Sequence, residues 1–124
     1  MLIIKTRLLF LSLILFVLLS GCSPHPGSGI WVPMDKGESR YSKVEVLFDG
    51  RAELFVPGRE DHLYRCFWGG VSSESIRMEC VSADDDAIKP VFMLQVAADG
   101  RGELLESEKT VGYFRRTEEK PIRD

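Results

Sequence analysis

The residues of this chain with the most distinctive chemistry are three cysteines, at positions 22, 66 and 80. Cys66 and Cys80 fall in segments whose apolar residues alternate, and a hairpin folded about Ser73 places them directly opposite each other. Opposed residues of an antiparallel pair have Cα atoms about 4.5–5.5 Å apart, a separation that a disulfide bond can span. We therefore predict a structural Cys66–Cys80 disulfide, with two buried free thiols as the alternative. No Cys-x-x-Cys motif suggests redox catalysis.

Histidine and carboxylate side chains could supply acid–base catalysis or metal ligands, but they form no recognisable constellation. A serine hydrolase needs Ser, His and a carboxylate together, and only His62 lies in the predicted folded part, with no Gly-x-Ser-x-Gly motif. Glu60-Asp61-His62 offers too few ligands for a zinc site. Asp84-Asp85-Asp86 lacks the glycine and distal glutamate of an EF-hand, which favours a solvated acidic loop. We predict no catalytic residues, no metal and no cofactor.

The length and charge of the chain exclude further classes of function. Its 124 residues have a formal net charge of −3, and two of the positive charges, Lys5 and Arg7, lie near the N-terminus. Residues 22–124 therefore have a net charge of −5, which disfavours binding to the phosphates of nucleic acid. This part is long enough for one domain with a modest core that a disulfide would help to stabilise.

Residues 1–21 have the three parts of a secretory signal. The basic Lys5 and Arg7 precede an apolar run over 8–19 that only Ser12 interrupts, and Ser20 and Gly21 lead into Cys22. The apolar run is short for a membrane-spanning helix, which needs about 20 residues.

The quartet Leu19-Ser20-Gly21-Cys22 resembles the lipobox of bacterial lipoproteins. This resemblance implies cleavage between Gly21 and Cys22, diacylglycerol on the Cys22 thiol, and a fatty acyl group such as palmitate on the new amino group. Each buried methylene contributes about 0.8 kcal/mol to membrane anchoring. Ser23, where Gram-negative relatives retained in the inner membrane carry aspartate, favours the outer membrane, facing the periplasm. The alternative is an uncleaved anchor, with Cys22 as an ordinary thiol. Export also favours the predicted Cys66–Cys80 disulfide, because disulfides persist in oxidising compartments outside the cytoplasm.

The remainder of the chain divides into three parts. Residues 22–28 read Cys-Ser-Pro-His-Pro-Gly-Ser, a composition typical of a flexible tether, in which we expect His25 to be solvated without a structural role. Residues 29–116 form the predicted domain, and residues 117–124 a charged, frayed tail.

Short runs rich in Val, Phe, Tyr, Leu and Ile, separated by Asp-Gly and Gly-Gly, recur through the predicted domain. Asp49-Gly50 between alternating apolar residues is the strongest hairpin signal, and we expect it to form a two-residue turn. We predict an all-β fold of about seven or eight short strands built from hairpins, either a small antiparallel barrel or a sandwich. The predicted units are strand 29–32, hairpins 43–56, 62–81 and 91–107, and strand 111–116.

Gly29-Ile30-Trp31 in the first strand and Arg115-Arg116 in the last resemble two marks of the lipocalin-like barrels, although that family's Thr-Asp-x-Tyr motif is missing. In the family, the tryptophan closes one end of the barrel and an arginine packs across its indole, a cation–π contact of about 0.5–2 kcal/mol. The resemblance implies Trp31 as the plug and Arg115 or Arg116 as its partner, with a slight preference for Arg115. A core tryptophan with two surface arginines is the alternative.

Aromatic residues fall on both faces of some predicted strands, which indicates either a second covering layer or an exposed contact surface. We expect a non-enzymatic binding module anchored in the outer membrane, for an envelope protein or for a small apolar ligand inside the barrel. The alternative is a structural or accessory component of an envelope assembly or secretion machine. The candidate binding surface consists of Trp31, Tyr64, Phe67, Trp68 and Arg115.

Overall fold

The computed structural model describes residues 24–35 and 39–118 of the chain. The predicted signal, Cys22 with its cleavage site, and residues 119–124 of the predicted tail lie outside the described residues. Within the described ranges, no helix is long and apolar enough to cross a membrane.

Eight antiparallel strands make up the domain, and each one pairs with the strand that follows it in the chain. They are β1 Gly29–Pro33, β2 Lys43–Val46, β3 Arg51–Phe55, β4 Tyr64–Gly70, β5 Ser75–Ser82, β6 Val91–Val96, β7 Gly102–Glu106 and β8 Lys109–Arg116. Because β8 also pairs with β1, the sheet closes into a barrel. The all-β fold is therefore confirmed, and of the two predicted architectures the barrel is the correct one.

The β2–β3 hairpin differs from the predicted register by one residue. A two-residue Asp49-Gly50 turn would place Phe48 opposite Arg51. Instead, Val46 pairs with Ala52 and the Leu47 amide donates to the Arg51 carbonyl oxygen, so the turn contains three residues, 48–50. Gly50 adopts a φ of +92°, which favours glycine, in this turn.

The β4–β5 hairpin has the predicted register. It folds about Ser73, so that Cys66 lies opposite Cys80. The predicted disulfide between these two residues is confirmed.

The interior of the barrel is a packed apolar core, because alternate residues of each strand point inward. In a barrel of eight strands, the side chains are large enough to fill this space. The side chains with no exposed surface are those of Trp31, Tyr41, Val44, Val46, Ala52, Leu54, Ile76, Met78, Phe92, Leu94, Leu104 and Phe114.

The two ends of the barrel differ in the segments that meet there. At the end where β1 begins and β8 ends, here called the proximal end, the β2–β3, β4–β5 and β6–β7 turns lie beside residues 24–28. The β1–β2, β3–β4 and β5–β6 loops and the β7–β8 turn lie at the opposite, distal end. Both termini of the domain therefore leave at the proximal end.

Candidate functional site: the closed ends and the outer surface of the barrel

Trp31 closes the proximal end of the barrel. Its side chain is fully buried, and its indole Nε1 donates a hydrogen bond of 2.9 Å to the carbonyl oxygen of Gly27. Gly102 of β7 faces the ring so closely that a Cβ atom added there would lie 2.8 Å from Trp31 Cζ3. The indole is therefore held between the segment before β1 and the wall of the barrel.

Arg116, and not Arg115, is the arginine that packs on Trp31. The Arg116 guanidinium carbon lies 5.0 Å from the centroid of the indole. The slight preference for Arg115 is wrong because Arg116 is directly opposite Trp31 in the β1–β8 pair, while Arg115 is opposite Val32. Partial burial lowers the pKa of Arg116, but a guanidinium remains charged at neutral pH.

Tyr41 from the β1–β2 loop fills the distal end of the barrel. Its ring packs edge-on against Phe92, with centroids 5.4 Å apart, and tilted against Tyr64 at 6.3 Å. Among the described residues, none lies at a distance and angle that would give its buried hydroxyl a hydrogen bond. Burial, and then the negative charge of nearby Glu106, raise the pKa of Tyr41 far above its usual value. Sequence reasoning missed this plug because Tyr41 lies in a loop, outside any alternating pattern.

The structure does not bring the five residues of the candidate binding surface together. Trp31 and Tyr64 belong to the buried interior. Phe67 is 75% exposed on the outside of β4, and Trp68 after it is half-buried. Arg115 is exposed on β8, four strands away around the ring of eight. Phe67 and Arg115, the exposed members of the set, therefore lie apart on the outer surface of the barrel, where two candidate contact surfaces can be distinguished.

The first surface is an apolar rim at the proximal end, defined here as Phe48, Phe67, Trp68 and Val71. The exposed fractions of Phe48 and Val71 are 65% and 59%, close to that of Phe67. The β2–β3 turn is held against this rim because Trp68 Nε1 donates to the carbonyl oxygen of Leu47 at 2.7 Å. Phe67, Trp68 and Val71 also line a shallow groove of about 340 Å³ on the outside of the β4–β5 hairpin.

Residues 24–28 are packed against the same end of the barrel. His25 Nδ1 accepts a hydrogen bond from the Gly27 amide at 2.9 Å, and its Nε2 lies 2.8 Å from the Ser72 carbonyl oxygen, which accepts the other. The His25 ring is also edge-on to the Trp68 ring, with centroids 6.0 Å apart. The expectation that His25 has no structural role is thus wrong, because the β4–β5 turn offers it a carbonyl acceptor and strand β4 offers it an aromatic contact.

The second surface is the Tyr113 face, which consists of Tyr113 on the outside of β8 and the grooves on either side of it. The larger groove, of about 470 Å³, runs between Tyr113 and the turns at the proximal end. The Arg101 guanidinium lies 5.9 Å from the centroid of the 46%-exposed Tyr113 ring and 3.5 Å from Asp99. Since Glu74 and Glu103 also line this groove, its lining is negatively charged overall.

His62 and the acidic loop are engaged in structural contacts. His62 Nδ1 lies 3.6 Å from Glu53 Oε1, and its ring is edge-on to Phe55. Arg59 donates two hydrogen bonds, of 2.8 and 2.9 Å, to the Asp84 carboxylate and lowers its pKa. Asp85 accepts a hydrogen bond from the Ala87 amide within its own turn. In the described part of the chain, no group of three His, Cys, Asp or Glu residues is arranged to hold a metal ion.

Comparison with known proteins adds no assignment to this geometry. A scan against protein-family models and searches of curated proteins and of solved structures found no match to this chain.

Proposed function

We propose that this chain is a bacterial lipoprotein, acylated at Cys22 and anchored on the periplasmic side of the outer membrane. Its small lipocalin-like barrel serves as a non-catalytic binding module for another protein of the envelope. The filled interior is the observation that carries this binding mode. Trp31 and Tyr41, both fully buried, occupy the two ends, and the side chains between them leave the outer surface as the place for contact.

The Tyr113 face is the surface that we assign to the protein partner. Tyrosine and arginine are enriched among the residues that dominate binding energy at protein interfaces, and here Tyr113 and Arg101 lie close together and are both exposed. The carboxylates of Glu74, Asp99 and Glu103 outnumber the one guanidinium in the larger groove. A partner with a basic patch therefore complements this face, and its association is accelerated at low salt.

Two other roles compete with this proposal. A small apolar ligand inside the barrel would have to displace core side chains such as Phe92 and Leu94, which are fully buried. A structural or accessory role in an envelope assembly uses the same anchor and the same outer surface. It differs in predicting a permanent stoichiometric complex, whereas the binding module predicts reversible association.

The anchor is tested by following the precursor in cells. Inhibition of the lipoprotein signal peptidase by a globomycin-type compound is expected to accumulate the full-length chain, and Cys22→Ala to abolish incorporation of labelled palmitate. Ser23→Ala, which keeps the cysteine, serves as the matched control and is expected to be acylated normally. An unmodified full-length chain in the soluble fraction would contradict the proposal.

The binding face is tested by cross-linking in intact cells. Tyr113→Ala is expected to reduce the cross-linked complex at least five-fold, which corresponds to about 1 kcal/mol or more for a residue central to an interface. Ile88→Ala, at a site 49% exposed at the distal end, is the control and is expected to leave the complex unchanged. Equal complex formation by the two variants would exclude the Tyr113 face.

A further inference from the structure

The apolar rim lies beside the point at which the chain enters the barrel. His25 is in contact with the Trp68 ring and with the backbone of Ser72, next to Val71. Cys22 precedes His25 by three residues, and a fully extended residue spans at most about 3.6 Å. The Cα of Cys22 is therefore within about 11 Å of the Cα of His25, whatever the conformation of the residues between them.

We propose that the barrel rests on the membrane with its apolar rim, so that the exposed Phe48, Phe67 and Val71 contact the lipid that holds the anchor, while the half-buried Trp68 packs partly against the core. This orientation rests on the proposed acylation of Cys22. An anchor so close to the rim keeps these side chains at the lipid surface, where the high effective concentration makes even a weak contact persist.

The chemistry of the rim suits the boundary between lipid and water. Aromatic side chains are enriched at that boundary, and a cluster of exposed apolar residues marks an interaction surface. Phe67 and Val71 are exposed on either side of Gly69. A Cβ atom added at Gly69 would meet no neighbour within 4 Å, so no other part of the barrel blocks the approach of lipid to this hairpin.

The charges around the rim are balanced. Arg51 Nε donates to Asp49 at 2.6 Å, and Arg77 Nε lies 3.5 Å from Glu79 Oε1. The rim therefore gains little from anionic headgroups, and its contact with lipid depends on apolar burial, which salt screens only weakly.

This orientation keeps Tyr113 itself away from the lipid. β4, which contains Phe67, and β8, which contains Tyr113, are four strands apart in a closed ring of eight and so lie on opposite walls. The larger groove beside Tyr113 extends from β8 to Ser72 and Glu74 in the β4–β5 turn, so one edge of it lies next to the rim.

Photo-cross-linking in membranes from cells that make the full chain tests the orientation. Phe67 is replaced by p-benzoyl-phenylalanine, and Ile88 at the distal end is replaced in the same way as the matched control. After irradiation, mass spectrometry measures lipid adducts on the labelled peptide and acylation of Cys22 in the same sample. We expect at least about five-fold more lipid adduct at position 67 than at 88, and little change of the adduct at 67 in high salt.

The outcomes separate this orientation from the anchor on which it rests. An acylated chain with equal or no lipid adducts at the two positions would overturn the orientation alone. An unmodified Cys22 would overturn the proposed anchoring and the orientation with it. If the variant at position 67 does not fold, Phe48 in the β2–β3 turn takes its place, with the same result expected.

Discussion

Gly102 is the residue that lets Trp31 lie against the barrel wall. The ring is fully buried, and its Cζ3 and Cε3 atoms are 2.8 and 3.0 Å from where a Cβ atom would stand on Gly102. A contact this short requires the indole or the β7 backbone to shift. The absence of a side chain is therefore a packing requirement at this position.

We expect Gly102→Ala to lower the free energy of unfolding by about 1–3 kcal/mol, the usual cost of overpacking a core. Gly69→Ala is the matched control, because a Cβ atom at Gly69 meets nothing within 4 Å. Chemical unfolding followed by tryptophan fluorescence measures both variants. Equal losses would show that the indole is not confined by β7.

The adjacent arginines of β8 provide a second comparison at this scale. Arg116→Ala removes the cation 5.0 Å from the Trp31 ring and is expected to cost about 0.5–2 kcal/mol of stability. Arg115→Ala is expected to change stability by less than about 0.5 kcal/mol, as is usual for a surface site. The two values come from the same unfolding titration, and a larger loss at Arg115 would contradict the assignment.

The buried hydroxyl of Tyr41 makes stability depend on pH in the alkaline range. Its pKa is raised above the unfolded value of about 10, so the folded state retains the proton more firmly than the unfolded state. The stability is complete below about pH 10 and is lost as the pH rises further. Near pH 11, one unit above the unfolded pKa, the loss is about 1.4 kcal/mol.

We expect Tyr41→Phe to remove this loss. Near pH 8 the variant should differ from the parent by less than about 1 kcal/mol, because the hydroxyl has no hydrogen-bond partner of ordinary geometry among the described residues. Tyr113→Phe, at an exposed tyrosine, should retain the alkaline loss. The measurement is the free energy of unfolding at both pH values, and an unchanged alkaline loss in Tyr41→Phe would refute the explanation.

At the scale of elements, the β4–β5 hairpin is held together by its ladder and by the Cys66–Cys80 bond across it. The two cysteines are 14 positions apart, and closing a loop of that size contributes about 3 kcal/mol in the chain-entropy model. The hairpin also contains Phe67, Trp68 and Val71 of the rim and the Ser72 carbonyl that binds His25. The disulfide therefore stabilises the position of the rim as well as the packing of the core.

We expect Cys66→Ala and Cys80→Ala to lower the free energy of unfolding by similar amounts, about 3 kcal/mol each. The double variant should be no less stable than either single one, because both remove the same bond. Thermal or chemical unfolding under non-reducing conditions measures the three proteins. Losses that add would mean that the thiols are not bonded to each other.

Signals between neighbouring residues were sufficient to predict the strands and hairpins, but not the closure of the sheet into a barrel. Alternation and the Asp49-Gly50 turn predict strands and hairpins because they act between neighbours in the chain. The choice between barrel and sandwich depends on whether β8 pairs with β1, a contact between distant residues. Tyr41 likewise links a loop to distant strands, and the contact of His25 with Ser72 links a terminal segment to a distant turn. Neither contact follows from the alternation of apolar residues along the chain.

At the scale of the whole molecule, the surfaces proposed for function were predicted only in part. Phe67 and Arg115 are exposed, as a binding surface requires, but Trp31 and Tyr64 are inside the barrel. Alternation distinguishes two faces of a strand without identifying which face is solvated. The position of the strand in a closed ring decides which face is solvated, and it also places Phe67 and Tyr113 on opposite walls.

Both ends of the folded chain emerge side by side, since the Thr117 amide donates to the Ile30 carbonyl oxygen at 2.8 Å. In the proposed orientation, a bulky protein fused directly after Thr117 would therefore lie near the bilayer. A short epitope inserted beside Ile88, in the β5–β6 loop, would instead project into the periplasm and remain open to antibodies. The position of a tag thus decides whether an imaging or capture experiment reports on the native arrangement.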